Sequence, residues 1–249
     1  MKKIFNWTLN VSLLFVAASA LTYFVHYLIF HDPHHIFIYM IGDFGFLFID
    51  VLLVVLFIER ILTHREKQAI MKKLNMVIGA FFSEVGLELL KKFAAFIENA
   101  EQLENKLKIT SDWGKKEFKE AITEIKKFPY EIKIDRNKLD DLRDFLIEKR
   151  SFMLRLLENP NLLEHDRFTD LLWAVFHLTE ELGFRGEKLK QLPQHDYAHL
   201  ANDLKRAYSQ LTIVWIAYME HIKKSYPFLF SLSARVNPMD KSASPIVSG

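Results

Sequence analysis

The chain has 249 residues, of which 50% are hydrophobic and 26% charged, and its formal net charge is +2. So small a net charge, with no basic stretch interleaved with aromatic residues, argues against a nucleic-acid partner. The chain contains no cysteine, which excludes disulfides, thiolate metal sites and cysteine nucleophiles. High hydrophobicity beside an ordinary charged fraction indicates that apolar and charged residues are segregated along the chain.

Two apolar runs near the N-terminus predict a transmembrane hairpin. Residues 4–30 contain no Asp, Glu, Lys or Arg, and residues 36–58 contain only Asp43 and Asp50 among charged residue types. Each run exceeds the roughly 20 residues that cross a hydrocarbon core as a helix. We therefore expect a hairpin over residues 1–61, with spans at about 4–30 and 36–61 in a lipid bilayer.

The basic residues predict the orientation of this hairpin. Lys2 and Lys3 precede the first span and five basic residues lie between Arg60 and Lys73, whereas the connecting loop has neither Lys nor Arg. Basic residues mark the cytoplasmic side, so we expect both termini in the cytoplasm and a multi-pass protein of the plasma (inner) membrane. The alternative is a signal peptide cleaved after Ala20. Because hydrophobicity continues beyond that position, the sequence favours a span.

The remaining residues predict an all-α cytoplasmic bundle of four or five helices over residues 62–236, with prolines marking the breaks. The expected helices cover residues 62–106, 112–127, 137–157, 161–182 and 195–225. The first is expected to continue the second span and to bend near Gly79 or Gly86. Asn161 and Glu164 have capping-box spacing, and Gly183 follows the expected end of that helix.

Three shorter segments complete the predicted organisation. Residues 130–135 alternate apolar and polar side chains, which indicates an extended connector. Residues 228–232 are apolar and are expected to pack on the bundle or to lie at the inner membrane surface. Residues 237–249 are rich in Ser and Pro, and we expect them to be disordered.

Carboxylates inside the second span are the most informative polar residues. Asp43 and Asp50 are seven residues apart and therefore share a helix face, and a carboxylate in hydrocarbon costs a few kcal/mol unless it faces protein or water. One interpretation is an oligomer whose second spans line a cation path; another is ion binding within one chain. A purely structural role is the alternative, in which the carboxylates bond to the first span, with His26 as a partner for Asp43.

The expected outer loop concentrates imidazoles and a carboxylate at His31, Asp32, His34 and His35. This composition suits a borderline divalent metal. Protonation of the same imidazoles near pH 6.5 would instead make the loop a pH sensor. The third interpretation is an ordinary polar turn.

A second candidate divalent-metal site lies in the bundle. His195 and His199 have i, i+4 spacing, which places both imidazoles on one helix face, and Asp203 continues that face. If the last two long helices form an antiparallel hairpin, His177 comes level with His199, and Glu181 with His195. The absence of a Glu-x-x-His pair argues against a di-iron centre, and solvated polar faces are the alternative.

No nucleophile with a partner base, glycine-rich phosphate loop or His-Glu-x-x-His motif is found, so the sequence does not indicate an enzyme. The leading hypothesis is a homo-oligomeric integral membrane protein with a cytoplasmic helical regulatory domain, whose spans conduct or gate ions. The second is a membrane-anchored interaction or scaffold module without transport. The third is a metal-binding sensor in the helical bundle.

Overall fold

The computed structural model describes residues 2–159, 162, 165–240 and 242–246. Within those residues the protein is all-helical, and the single departure is an isolated antiparallel bridge between Ile97 and Ile132. The all-α prediction is therefore confirmed. The chain divides into two compact units, Met1–Lys67 and Gln68–Gly249.

The first unit consists of α1 (Lys2–Phe30) and the beginning of α2 (Pro33–Phe81). Two residues connect the helices. His31 takes the left-handed conformation (φ 51°) and its N–H donates to the Tyr27 carbonyl at 2.9 Å. Asp32 Oδ1 accepts from the backbone N–H of His35 at 3.2 Å, and Pro33 is the first helical residue. The turn thus ends one helix and caps the next.

Within its described residues, the second unit contains the rest of α2 and seven further α-helices: α3 (Leu87–Ala94), α4 (Ala100–Lys106), α5 (Lys115–Lys127), α6 (Arg136–Leu157), α7 (Asp166–Arg185), α8 (Gln194–Ser225) and α9 (Pro227–Arg235). A π-helix, Phe82–Gly86, joins α2 to α3, and a 3₁₀ helix, Gly186–Gln191, follows α7. The central element is α8, which packs against α3, α5, α7 and α9. Its apolar residues fill the core from Leu200 to Ile222.

The helix expected over residues 62–106 is instead divided. After the π-helix and α3, the chain turns before α4 begins at Ala100. Asn99 is buried at this turn, where its Nδ2 donates to the Pro129 carbonyl at 2.7 Å and its Oδ1 accepts from the Glu131 N–H at 3.2 Å. These bonds tie the turn to the extended connector and account for the break.

The helix expected over residues 161–182 lies later in the chain. It begins at Asp166, and His165 caps it because its Nδ1 accepts from the Phe168 N–H at 3.1 Å. The predicted capping residues, Asn161 and Glu164, lie outside the described residues. The helix runs past Gly183 to Arg185 and ends where Gly186 adopts a φ of +50°, a conformation that favours glycine.

The C-terminal segment agrees with its prediction only in part. Residues 228–232 pack on the bundle, which was one of the two expectations, because α9 contacts α8. Residues 228–232 belong to the unpredicted helix α9, in which Phe230 is buried while Phe228 is exposed. Disorder was expected from residue 237, yet Asn237 and Met239 are buried. Asn237 Nδ2 donates to the Leu107 carbonyl at 3.1 Å. This hydrogen bond and the burial of Met239 hold the start of the expected tail in the core.

Candidate functional site

The candidate site lies between α7 and α8, which pack in antiparallel register. Three side-chain pairs establish the register: His177 with Asp203, Glu181 with His199, and Arg185 with Asp196. The opposite face of α7 carries Leu178 and Leu182, both fully buried. Because the apolar face fixes the rotation of α7, its polar face is directed at the polar face of α8.

Four polar side chains converge at the middle of this interface. Asp203 Oδ2 lies 3.5 Å from His177 Nε2 and 3.3 Å from His199 Nε2. Glu181 spans the same two imidazoles, with Oε1 at 3.9 Å from His177 Nε2 and Oε2 at 3.5 Å from His199 Nε2. Among the described residues, His177, His199 and Asp203 form the group whose ligand atoms all lie within 4.8 Å of one another.

Asp203 is the buried member of the cluster. Its side chain is 3% exposed, whereas those of His177 and His199 are 44% and 50% exposed. Although Oδ2 is close to two imidazole nitrogens, none of these contacts has hydrogen-bond geometry, and Oδ2 has no hydrogen-bond partner. Arg206 Nη2 approaches the other oxygen, Oδ1, at 3.7 Å. A buried carboxylate without good partners costs several kcal/mol, so this arrangement favours a cationic ligand.

Arg185 lies beside the cluster and binds two carboxylates, those of Asp196 and Glu181. It binds Asp196 with two nitrogens, at 3.0 and 2.6 Å, and also donates to Glu181. Partial burial acts to raise the pKa of Glu181, but the hydrogen bond and charge of Arg185 outweigh it, so this pKa lies below its ordinary value. The hydrogen bond from Arg185 also lowers the pKa of Asp196. Both carboxyl groups are therefore ionised at neutral pH.

The structure brings together three of the four residues predicted from sequence. His177, Glu181 and His199 join the cluster, but His195 does not, because Arg185 and Asp196 occupy that level of the helix pair. Asp203 takes the place expected of His195. The i, i+4 spacing of Asp203 from His199 is the sequence signal that Asp203 belongs to the cluster. No sequence pattern indicates that Arg185 binds Asp196 and Glu181, because those contacts depend on the fold.

A separate cavity of about 390 Å³ lies elsewhere in the second unit, and sequence reasoning did not find it. Its lining includes Asn75, His165, Tyr218 and His221. Burial lowers the pKa of His221, with a contribution from Lys224, and burial raises the pKa of Tyr218. Its His165 already caps α7, and within the described residues its His and Asp side chains belong to no group of three that could hold a metal ion. The α7–α8 cluster is the better candidate.

Two family models match the chain. One, described as "Uncharacterized protein MJ1433, C-terminal helical domain", matches residues 70–235, and the other, "MJ1433, N-terminal helical domain", matches residues 2–62. The chain belongs to the MJ1433 family. It is 42% identical over 239 residues to "Uncharacterized protein MJ1433" of Methanocaldococcus jannaschii, an alignment that covers 96% of this chain and 95% of that protein. No solved structure matches the chain.

The two MJ1433 family domains correspond closely to the two compact units, whose boundary along the chain lies between Lys67 and Gln68. The α7–α8 cluster lies wholly inside the C-terminal helical domain. The candidate polar residues of the loop (residues 31–35) and of the predicted spans (His26, Asp43 and Asp50) lie inside the N-terminal helical domain.

In the N-terminal domain of this MJ1433 family member, the predicted polar residues do not assemble into one site. Asp43 and Asp50 are exposed on α2. His26 Nε2 is buried without a hydrogen-bond partner, so this atom does not bond to Asp43, the partner considered in the structural alternative. In the loop, Asp32 caps α2 through the His35 N–H, and its other oxygen is 3.9 Å from His35 Nδ1. His31 and His34 complete no metal-binding group within the described residues.

Proposed function

We propose that this chain is a two-span membrane protein that holds a helical regulatory domain at the cytoplasmic face of the membrane. The observation that carries the proposal is the exposed apolar surface of the first unit. From Leu13 to Leu62, the large hydrophobic side chains of α1 and α2 are mostly 40–70% exposed. Soluble proteins rarely leave such a continuous apolar surface in water, whereas a bilayer requires it.

The lengths and flanks of these helices support the same proposal. Both are long and apolar enough to cross a membrane by length and composition. A turn of two residues joins them, which suits a tight hairpin at a membrane surface. The basic residues at Lys2, Lys3 and from Arg60 onward favour placing the helical domain in the cytoplasm.

The natural absence of cysteine gives a direct test of topology, because each introduced thiol is then the only one. In intact bacterial cells, a membrane-impermeant maleimide is expected to label His34→Cys in the turn. Ser151→Cys on α6 should react only after permeabilisation, and Ala17→Cys within α1 should resist labelling in both cases. Equal labelling of His34→Cys and Ser151→Cys in intact cells, or recovery of the protein in the soluble fraction, would refute the proposal.

A second candidate function is cation conduction by an oligomer, and Asp43 and Asp50 are the observation that favours it. Both are exposed carboxylates seven residues apart on α2, hence on one face. Placed in hydrocarbon they are costly, but rings of carboxylates around a water-filled path would attract cations. A path built from two spans per chain needs several chains around one axis.

Conduction predicts that Asp50→Asn lowers cation flux through proteoliposomes by roughly tenfold or more, since one charge per chain leaves the path. Asp43→Asn should also lower the cation flux. Asp141→Asn on the exposed surface of α6 is the matched control and should leave flux unchanged. A monomeric mass in detergent by light scattering, or unaltered flux in Asp50→Asn, would remove this candidate.

A further inference from the structure

We propose that the α7–α8 cluster is a binding site for one divalent transition-metal ion. His177 Nε2, His199 Nε2 and Asp203 Oδ2 supply three ligands, and Glu181, whose Oε2 accepts a hydrogen bond from Arg185, lies beside His199. This inference goes beyond membrane anchoring and does not depend on it, because every residue of the site belongs to the second unit.

The spacing of the ligand atoms matches a tetrahedral metal site. With zinc bonds of about 2.0–2.1 Å, two ligand atoms at tetrahedral angles are about 3.3–3.4 Å apart. The distances are 3.3 Å from His199 Nε2 to Asp203 Oδ2 and 3.5 Å from His177 Nε2 to Asp203 Oδ2, and all three ligand atoms lie within 4.8 Å of one another. Because both imidazoles are about half exposed, they can move to the separations that a shared ion requires.

The hydrogen-bonding pattern points to the same ligand. Asp203 Oδ2 has no hydrogen-bond partner, although it lies 3.5 Å from His177 Nε2 and 3.3 Å from His199 Nε2. The carboxylate is 3% exposed, so water cannot fully compensate it. Two imidazole nitrogens close to a buried carboxylate oxygen that has no hydrogen-bond partner are donor types that bind a divalent transition metal.

The net negative charge of this region also favours a bound cation. Asp203, Glu181 and Asp196 bring three negative charges to this region, and Arg185 and Arg206 bring two positive charges. Arg206 is 61% exposed and 3.7 Å from Asp203 Oδ1, so it compensates that carboxylate weakly. Arg185 is engaged mainly by Asp196 and fixes the position of Glu181 beside the imidazoles. A bound dication would supply the charge that Asp203 lacks.

The donor set selects the class of metal. Two imidazoles with carboxylates suit zinc, cobalt, nickel and ferrous iron, whereas calcium and magnesium prefer all-oxygen sites and cuprous copper prefers sulfur. The half-exposed imidazoles give an ion direct access from solvent. A groove of about 440 Å³, lined in part by Trp173, His177 and Arg206, opens beside the cluster. A metal ion bound at this site could therefore exchange with metal ions in solution.

The test is titration of tag-free, chelator-treated full-length protein in detergent with Zn²⁺, monitored by calorimetry and by metal analysis after desalting. We expect one ion per chain at the cluster. His199→Gln and His177→Gln should each weaken binding by at least about 100-fold, because each removes a ligand. Co²⁺ should give the visible absorption of a tetrahedral nitrogen and oxygen site, and this absorption should be lost in both variants.

His195→Gln is the matched control, since it removes an imidazole one turn away on the same helix without touching the cluster, and it should bind as the parent does. Asp203→Asn keeps the side-chain shape but removes the carboxylate charge, and should also abolish tight binding. If Asp203→Asn fails to fold, the exposed His177 and His199 variants carry the test. No stoichiometric Zn²⁺ or Co²⁺ in the parent, or undiminished binding in those two variants, would overturn the proposal.

Discussion

Replacing Trp215 with alanine is expected to lower the free energy of unfolding of the helical domain by about 3–5 kcal/mol. Trp215 is 1% exposed on α8, and its ring meets Phe82 edge-on at a centroid distance of 5.0 Å. The buried Nε1 has no hydrogen-bond partner, so truncation sacrifices packing rather than a polar contact. In thermal unfolding of the full chain in detergent, followed by circular dichroism, the transition should fall by roughly 10 °C.

The matched control is Trp173→Ala, because that tryptophan is 61% exposed on the adjacent helix α7. It should change the unfolding temperature by little, since a surface substitution is usually within about 0.5 kcal/mol. Trp215→Phe retains an aromatic ring and removes the unpaired donor, so its cost should be well below that of alanine. Equal effects of the alanine substitutions at Trp215 and Trp173 would contradict the central position assigned to α8.

Helices bounded by local chemistry are the part of the fold that the sequence predicts well. Residues 137–157 and 195–225 were expected to be helical, and the structure has Arg136–Leu157 and Gln194–Ser225. For α6 the reason is local, since Asp135 Oδ1 accepts from the Asn137 N–H at 3.0 Å. The apolar period of α8 reflects a helix buried over most of its length. Both the Asp135 cap of α6 and the apolar periodicity of α8 can be recognised from the local sequence.

Elements decided by tertiary contact were predicted poorly. The turn at Asn99 depends on carbonyl and amide groups about 30 residues later, and the burial of Asn237 depends on Leu107, 130 residues earlier. Composition alone marks residues 237–249 as disordered because the hydrogen bond that holds Asn237 is not visible locally. Long-range pairing of polar groups is therefore where local pattern and structure diverge.

The candidate site shows the same division. Periodicity places His177 with Glu181, and His199 with Asp203, as i, i+4 pairs, and antiparallel packing brings the two pairs together. Which level of α8 faces His177 depends on the connection after α7. That connection includes the 3₁₀ helix Gly186–Gln191, and its geometry could not be read from composition. The predicted set consequently included His195 where the structure has Asp203.

Gly86→Ala is expected to destabilise the helical domain although alanine is the better helix former. A Cβ atom there would lie 2.5 Å from Phe82 Cδ1 and 3.0 Å from Phe81 Cε1. Both rings are buried, and Phe81 also packs edge-on against Phe168 at 5.2 Å, so they cannot move aside freely. Overpacking costs about 1–3 kcal/mol, against a helix-propensity gain of up to about 1 kcal/mol.

Gly183→Ala provides a control with the opposite expected sign. Gly183 lies within α7, and nothing stands within 4 Å of the Cβ that alanine would add. The substitution should therefore raise stability by about 0.5–1 kcal/mol through helix propensity and a less flexible unfolded chain. The measurement is the thermal unfolding temperature of both variants, compared with that of the parent protein. If Gly86→Ala stabilised the domain as Gly183→Ala is expected to, the rings of Phe81 and Phe82 would have to be loosely packed. That result would contradict the tight packing described around the π-helix.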